Sequence, residues 1–335
     1  MLRERRPLPN GTVLIVDEAG MLGTRDLDRL LTRVTAAEGK LVLAGDTRQL
    51  PSIRAGGALR ALATRLDPIE LRENRRQREI WEREAVELLR NRNGERALDL
   101  YERQGRLRTG RHDDEVVPHL VADWPAYGDP DGSLMIAHYR TDVAELNGRA
   151  RALMRADGQL GSDELSAAGR TFARGDRVII KRNDRRCDVR NGDRGVVERV
   201  DAAAGALHVR VDDRLVELDH RFLSRPTDDG RPALEHGYAL TAYAAQGLTC
   251  RHALVLARDE AYSEWIYTTM TRASDANRLY VVGERGRDRD EFAPAEPARE
   301  GRVLLAAALT RSRADELAID RLLPPSAERG LVREL

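Results

Sequence analysis

Cysteine is almost absent from this 335-residue chain. The two that occur, Cys187 and Cys250, stand far apart and in no metal-ligand spacing. That excludes a disulfide framework and a cysteine metal cluster, and it points to a reduced, cytoplasmic protein. No run of 18 apolar residues exists, which excludes a membrane-spanning helix. The opening MLRERRPLPNG carries positive charge but no apolar segment, so it is not a secretory signal. An excess of one charge is also missing: Lys+Arg and Asp+Glu are 56 each. A protein that coats polyanions would be basic overall, so that class is disfavoured, while a local basic cleft stays open. Arginine greatly outnumbers lysine and alanine is abundant, which reads as base-composition bias in the gene.

What is present begins at Thr12. The run TVLIVDEAGM is β-branched or apolar to Val16 and then breaks into Asp17, Glu18, Ala19 and Gly20. It predicts a fully buried central strand with two acids at its carboxyl end. In open parallel sheets that end is where ligands sit. One acid suits Mg²⁺ and the other a water beside a nucleotide phosphate. Residues 24–38 space Leu27, Leu30, Leu31 and Val34 as one helical face, with Thr24 as the expected cap. A second buried strand, Leu41 to Ala44, ends in Gly45-Asp46 and is followed by Gln49. Strand, helix and strand in this span make a βαβ unit and a parallel sheet. Gln49 then comes to the same edge, where its amide can accept from a water and donate to a phosphate oxygen. Arg75, Arg76 and Gln77 precede the helix around Ile80 to Leu89. Arginines at a helix start oppose its dipole, so they answer an anion or form a solvated basic turn.

The patterning implies a fold class of α/β with more than one unit. Residues 1–130 form a partial first domain with a helical extension. Residues 131–165 and 230–285 form a second α/β domain. Between them, residues 166–229 change to short alternating strands with turns such as Asn191-Gly192, and predict an inserted small β-barrel without helix. Its basic loop, with Lys181 and Arg182, could touch a nucleic-acid backbone, although Asp184, Asp188 and Asp193 dilute it. Residues 286–335 are read as a C-terminal tail with a helical stretch from Arg302 to Leu322.

Taken together, the ordered motifs resemble those of superfamily 1 helicases, in particular the RecD-like branch and the helicase region of conjugative relaxase-helicases. DEAGM at 17–21 is similar to motif II, GDTRQL at 45–50 to motif III, and RENRRQ at 72–77 to motif IV. TAYAAQGLT at 241–249 is similar to motif V and YTTMTRA at 267–273 to motif VI. The resemblance implies two RecA-like parallel-sheet domains of the P-loop NTPase type, with a small Src-homology-3-like barrel inserted in the second. It implies ATP and Mg²⁺ as cofactors and single-stranded DNA as partner. Asp17 would hold Mg²⁺ and Glu18 would polarise the attacking water. Gln49 would sense the γ-phosphate, with Asp46 beside it. Arg76 and Arg272 would stabilise the transferred phosphoryl group, with Arg75 also at the nucleotide. Gln246 and Gly247 would face the nucleotide, while Thr241 and Tyr243 would face DNA. The implied polarity is 5′ to 3′.

Two departures stand out. Tyr243 occupies a place where the resembled motif commonly has histidine. No GxxxxGK[ST] phosphate loop occurs anywhere in the sequence. The expectation is a first domain that lacks its phosphate-gripping half, and a chain that alone binds ATP weakly. A relaxase domain or a separate polypeptide could supply that half. The rival expectation is a non-catalytic module that only binds single-stranded nucleic acid.

Overall fold

The computed structural model describes residues 7–71, 73–124, 132–283, 301–314 and 317. Residues 125–131, which hold most of the GDPDG stretch, Arg72 of the RENRRQ stretch and residues 315–316 and 318–335 lie outside them; the helix expected from Arg302 to Leu322 ends at Thr310, and residues 311–314 are not helical.

The first unit is the expected βαβ. Strand β1 (Val13–Val16) pairs in parallel with β2 (Lys40–Leu43), and α1 (Thr24–Ala36) connects them. Helix α1 buries Leu27, Leu30 and Val34, the face its spacing predicts. Gly23 rather than Thr24 takes the N-cap position, and the Thr24 hydroxyl donates instead to the Gly56 carbonyl at 3.3 Å. The expectation of a fully buried β1 fails. Val13 is 60% and Ile15 67% exposed, and Val42 on β2 is 39% exposed. The reason is the sheet's width: among the described residues only β1 and β2 pair here. One face is shielded and leaves Leu14, Val16, Leu41 and Leu43 half-buried, while the other face is bare.

After β2 come α2 (Ala58–Arg65), α3 (Ile80–Arg90), α4 (Gly94–Arg103), β3 (Leu107–Gly110) and α5 (Asp113–Asp123). The sequence grouping put all of these with the first domain. The structure places β3 at the edge of the second sheet, paired in parallel with β14 (Ala273–Val282). Helices α3, α4 and α5 pack on that sheet too.

The second unit opens with β4 (Ser133–Ala137) and α6 (Arg140–Ala156). It resumes after the insertion with β12 (Ala239–Thr241), α8 (Ala242–Ala245), β13 (Cys250–Ala257), α9 (Ser263–Thr269), β14 and α10 (Gly301–Thr310). Five parallel strands run in the order β12-β4-β13-β14-β3. Every residue of β4 is buried, because both faces are covered. Leu134, Ile136, Val255 and Val281 pack against α3, α4, α9 and α10; Met135, Ala137, Leu254 and Tyr280 pack against α5 and α6.

The insertion comprises a hairpin, β5 (Glu164–Ala167) with β6 (Arg170–Ala173), and a five-stranded antiparallel sheet. The sheet contains β7 (Arg177–Ile180), β8 (Arg194–Asp201), β9 (Ala206–Val211), β10 (Arg214–Leu218) and β11 (Leu234–His236), ordered β10-β9-β8-β7-β11. It extends beyond the expected 166–229 at both ends, since β5 begins at Glu164 and β11 pairs with β7. It also holds one short helix, α7 (His220–Ser224), which the strand pattern did not predict; the Asp219 side chain caps it by accepting from the Phe222 N–H at 2.7 Å. Asp176, fully buried, stitches the insertion to the parallel domain. It accepts from Arg151 Nε on both oxygens, at 3.1 and 3.0 Å, and from the Tyr238 hydroxyl at 2.7 Å.

Candidate functional site

The site forms where the β1/β2 strand ends meet the α8 and α9 side of the second domain. The carboxyl ends of β1 and β2 are tied by Ala19 N–H donating to the Ala44 carbonyl at 2.8 Å. Gly45 eases the close approach there: a Cβ would come within 3.0 Å of Leu59 Cδ2, 3.1 Å of the Ala19 nitrogen and 3.3 Å of the Gly20 nitrogen, tighter than ordinary packing. Glu18 adopts a left-handed backbone, φ 49°, which costs a non-glycine residue about 1 kcal/mol. Such strain persists where surrounding contacts hold it, often at functional sites. Here it turns the Glu18 side chain toward the second domain. Gln246 Nε2 donates to Glu18 Oε2 at 2.9 Å. Gly247, at φ 80°, lies so close that a Cβ would sit 4.0 Å from Glu18 Oε1.

Asp17 is exposed, and its Oδ1 accepts from the Glu18 N–H at 2.8 Å. Among the described residues no group of three or more His, Cys, Asp or Glu could hold a metal. A single carboxylate beside a phosphate-binding edge is nevertheless the share proteins commonly give Mg²⁺, so Asp17 fits that ion as one ligand.

The sequence-predicted arginines converge. Gln77 is fully buried and donates to the Ala273 carbonyl at 2.8 Å, which pins the segment before α3 to the start of β14. Arg76 Nη1 then donates to the Thr271 carbonyl at 2.8 Å. Arg272 is 1% exposed. Its Nε donates to the Thr268 carbonyl at 2.8 Å, and its Nη2 to the Thr271 hydroxyl at 2.8 Å and to Gln49 Oε1 at 3.4 Å. Burial, together with the positive charge of Arg76, pushes the Arg272 pKa down to about 10. Two guanidiniums forced together in a partly dry cleft are stabilised by an anion placed between them.

Arg75 forms an ion pair with Glu73 at 2.7 Å, with both side chains largely exposed. Asp46 accepts from the Tyr267 hydroxyl at 2.7 Å, so it acts as an interdomain tie. The Thr241 hydroxyl caps α8, accepting from the Ala244 N–H at 3.3 Å. Tyr243 is half-buried against the second core. Lys181 is half-buried, and burial lowers its pKa. Arg182 donates to the carbonyls of Arg225 and Pro226 at 3.3 and 3.4 Å. Arg182 is therefore held within the insertion.

Sequence reasoning missed Tyr267 and Thr268. Thr268 Oγ1 accepts from the Leu50 N–H at 3.0 Å, and Leu50, 1% exposed, is packed in the second domain's core. The signal was available, because both residues lie in YTTMTRA, which had been read for Arg272 alone.

Comparisons with known proteins place this arrangement. The profile of a family described as "AAA domain" matches residues 2–112. A probable conjugal transfer protein TraA from Sinorhizobium fredii is 35% identical over 285 residues, covering 82% of this chain and 25% of that protein. The ATP-dependent RecD2 DNA helicase of Deinococcus radiodurans is 29% identical over 288 residues, covering 81% of this chain and 36% of that protein. The chain is a superfamily 1 helicase-like region. Its fold is that of the parallel-sheet, RecA-like domains of Pif1 helicases: the Bacteroides Pif1 structure bound to single-stranded DNA superposes with a TM-score of 0.53 at 17% identity, covering 80% of this chain and 70% of that one. The helicase-like chain spans about a quarter of the length of the TraA protein it matches. Among its described residues no helix is long and apolar enough to cross a membrane.

Proposed function

We propose that this chain is the part of an ATP-driven DNA motor that hydrolyses nucleotide and follows single-stranded DNA, within a conjugal-transfer or recombination helicase that moves 5′ to 3′. The observation that carries the reading is the convergence of Glu18, Gln49, Arg76, Gln246 and Arg272 on one interdomain cleft. Glu18 accepts a proton from the attacking water. Gln49, Arg76 and Arg272 bind the terminal phosphate and stabilise its developing charge. Asp17 would hold Mg²⁺, which neutralises phosphate charge when bound. Opening and closing of the seam, through Asp46–Tyr267 and Glu18–Gln246, would convert the nucleotide state into movement of the two sheets. Thr241 and Tyr243 stand at the carboxyl edge of the parallel sheet, the side this reading gives to DNA. The insertion acts as a small Src-homology-3-like accessory barrel, and the protein works in the cytoplasm.

The phosphate-gripping loop is supplied from outside these 335 residues, by a preceding segment or a separate polypeptide, so the chain by itself turns over ATP near background. The test is a DNA-stimulated ATPase assay on the purified chain alongside Glu18→Gln. Background rates for both are expected. Robust turnover abolished by Glu18→Gln would refute the outside supply and keep the catalytic role of Glu18. Salt-sensitive binding of single-stranded DNA that ignores nucleotide would instead favour a binding-only module.

A further inference from the structure

The insertion has a second basic surface that the loop at Lys181 and Arg182 does not explain. Along β7, β8 and β9, Val178, Ile180, Val197, Val209 and Val211 turn into the insertion's own core. The alternation of a strand sends their neighbours to the opposite face. The register sets Arg177 opposite Val196 and Val196 opposite Arg210, one row across three strands. Arg194 and Asp212 stand two residues along from members of that row and share its face. This face does not look into open solvent throughout. Arg177 is 4% exposed, donates to the Ser133 carbonyl at 3.4 Å, and stacks on Trp124 and Tyr238 with its guanidinium carbon 4.9 and 5.8 Å from the rings. Ser133 begins β4, so the face abuts the amino edge of the parallel sheet, opposite the edge that carries Thr241.

A cavity of about 300 Å³ opens there, lined by Arg177, Arg194, Arg210, Asp212 and Gly237. Its volume is at the lower end of small-ligand sites. Three guanidiniums and one carboxylate line it, and Arg210 is also paired with Glu198 at 2.5 Å. One of those guanidiniums is buried, where its field is least screened. Planar donors lining one cavity match phosphate oxygens.

We infer that this cleft between the inserted sheet and the amino edge of the parallel sheet binds a phosphodiester of single-stranded DNA through Arg177, Arg194 and Arg210. The inference rests on the proposed motor reading and adds a second backbone contact, remote from Thr241 and Tyr243. It also moves the insertion's nucleic-acid surface from the 181–182 loop to the outer sheet face.

The test measures fluorescence anisotropy of a labelled oligothymidylate on the full chain across a salt series. Arg194→Ala/Arg210→Ala should make the plot of log affinity against log salt shallower by about 1, while Arg182→Ala leaves it unchanged. A circular-dichroism melt verifies that the double variant folds; should it not, Arg210→Gln alone is read in the same way. An unchanged slope in a folded variant, with the wild type still binding, overturns this inference alone. A wild type that binds no oligonucleotide overturns the motor reading as well. Inorganic phosphate titrated by calorimetry separates the sources: phosphate binding lost in the variant, with the DNA slope intact, assigns the cleft to a free anion and overturns the DNA contact.

Discussion

Gln246 Nε2 donates to the Glu18 carboxylate at 2.9 Å across the seam, linking residues 228 positions apart. The same amide's Oε1 is buried without a hydrogen-bond partner. Gln246 therefore holds one domain's acid while keeping an acceptor in the cleft. Gln246→Ala should remove a charge-assisted hydrogen bond and cost about 1.5–3 kcal/mol of the coupling between the units. Urea denaturation should show the two units parting at a lower midpoint, with the insertion's transition unmoved. A single unshifted transition would show that the contact contributes no coupling.

The adjacent Arg76 and Arg272 predict stabilisation by anions. Burial and Arg76 already depress Arg272 to about 10, so an anion in the cleft relieves a standing repulsion. Pyrophosphate at about 100 times its dissociation constant should stabilise the wild type by about 2.7 kcal/mol. Arg76→Ala should abolish most of that gain while leaving the anion-free stability equal or higher. A thermal melt with and without pyrophosphate measures both effects.

Much of this was legible in the sequence, for a definite reason. The helical spacing of Leu27, Leu30 and Val34 and the unbroken run SLMIA each report a local environment, and each element formed where expected. What failed was information about partners. LRTG carries no mark that says it will pair with β14 rather than β1, because strand pairing is set by distant residues. The exposure of Val13 and Ile15 depends in the same way on what lies beside β1 and β2, which the run TVLIV does not state. At the site, the identities of Glu18, Gln49, Arg76 and Arg272 were legible from motif order, whereas the left-handed turn of Glu18 was not, since glutamate has no preference for φ 49°. Arg182 looked available because composition counts charges and not the carbonyls that hold it, and the burial of Lys181 was no more visible.

Thr268 predicts an asymmetric pair of variants. Its hydroxyl accepts from the buried Leu50 N–H at 3.0 Å and donates to the Glu264 carbonyl at 2.7 Å. Thr268→Val keeps the shape and strands the Leu50 donor, at about 1–3 kcal/mol, whereas Thr268→Ser keeps both bonds and costs under half of that. Hydrogen exchange at the Leu50 amide provides the readout: faster in the valine variant and near the wild-type rate in the serine variant.

Asp176 predicts a large loss from a small change. Its carboxylate accepts from Arg151, Tyr238 and the Ala173 N–H, and it is fully buried. Asp176→Asn keeps the volume, removes the charge and turns one acceptor into a donor facing donors. Breaking one side of a buried pair costs roughly 3–5 kcal/mol, and the figure here falls toward the lower end because Arg151 also pairs with Glu164 at 2.8 Å. Urea denaturation measures the loss. Asp176→Leu should lose at least as much, since Arg151 and Tyr238 would then both be left to solvate elsewhere.

His236 gives the pH dependence. Burial lowers its pKa below the ordinary 6.5, although the Asp176 carboxylate 4.0 Å away draws it back in part. The folded state therefore binds a proton less readily than the unfolded chain. The stability held above pH 6.5 is lost as pH falls from that value through the folded pKa, with a slope of at most about 1.4 kcal/mol per pH unit while only the unfolded state is protonated. Glu82 opposes this lower down: burial raises its pKa above 4.5, so its protonation favours the folded state as pH falls toward that range. His236→Gln can still donate to the Thr171 carbonyl that His236 Nε2 meets at 3.1 Å, and it cannot titrate. Urea midpoints between about pH 7.5 and 5.5 should fall less steeply for His236→Gln than for the wild type; parallel curves would show that His138 and His252, whose pKa values burial also lowers, carry the dependence.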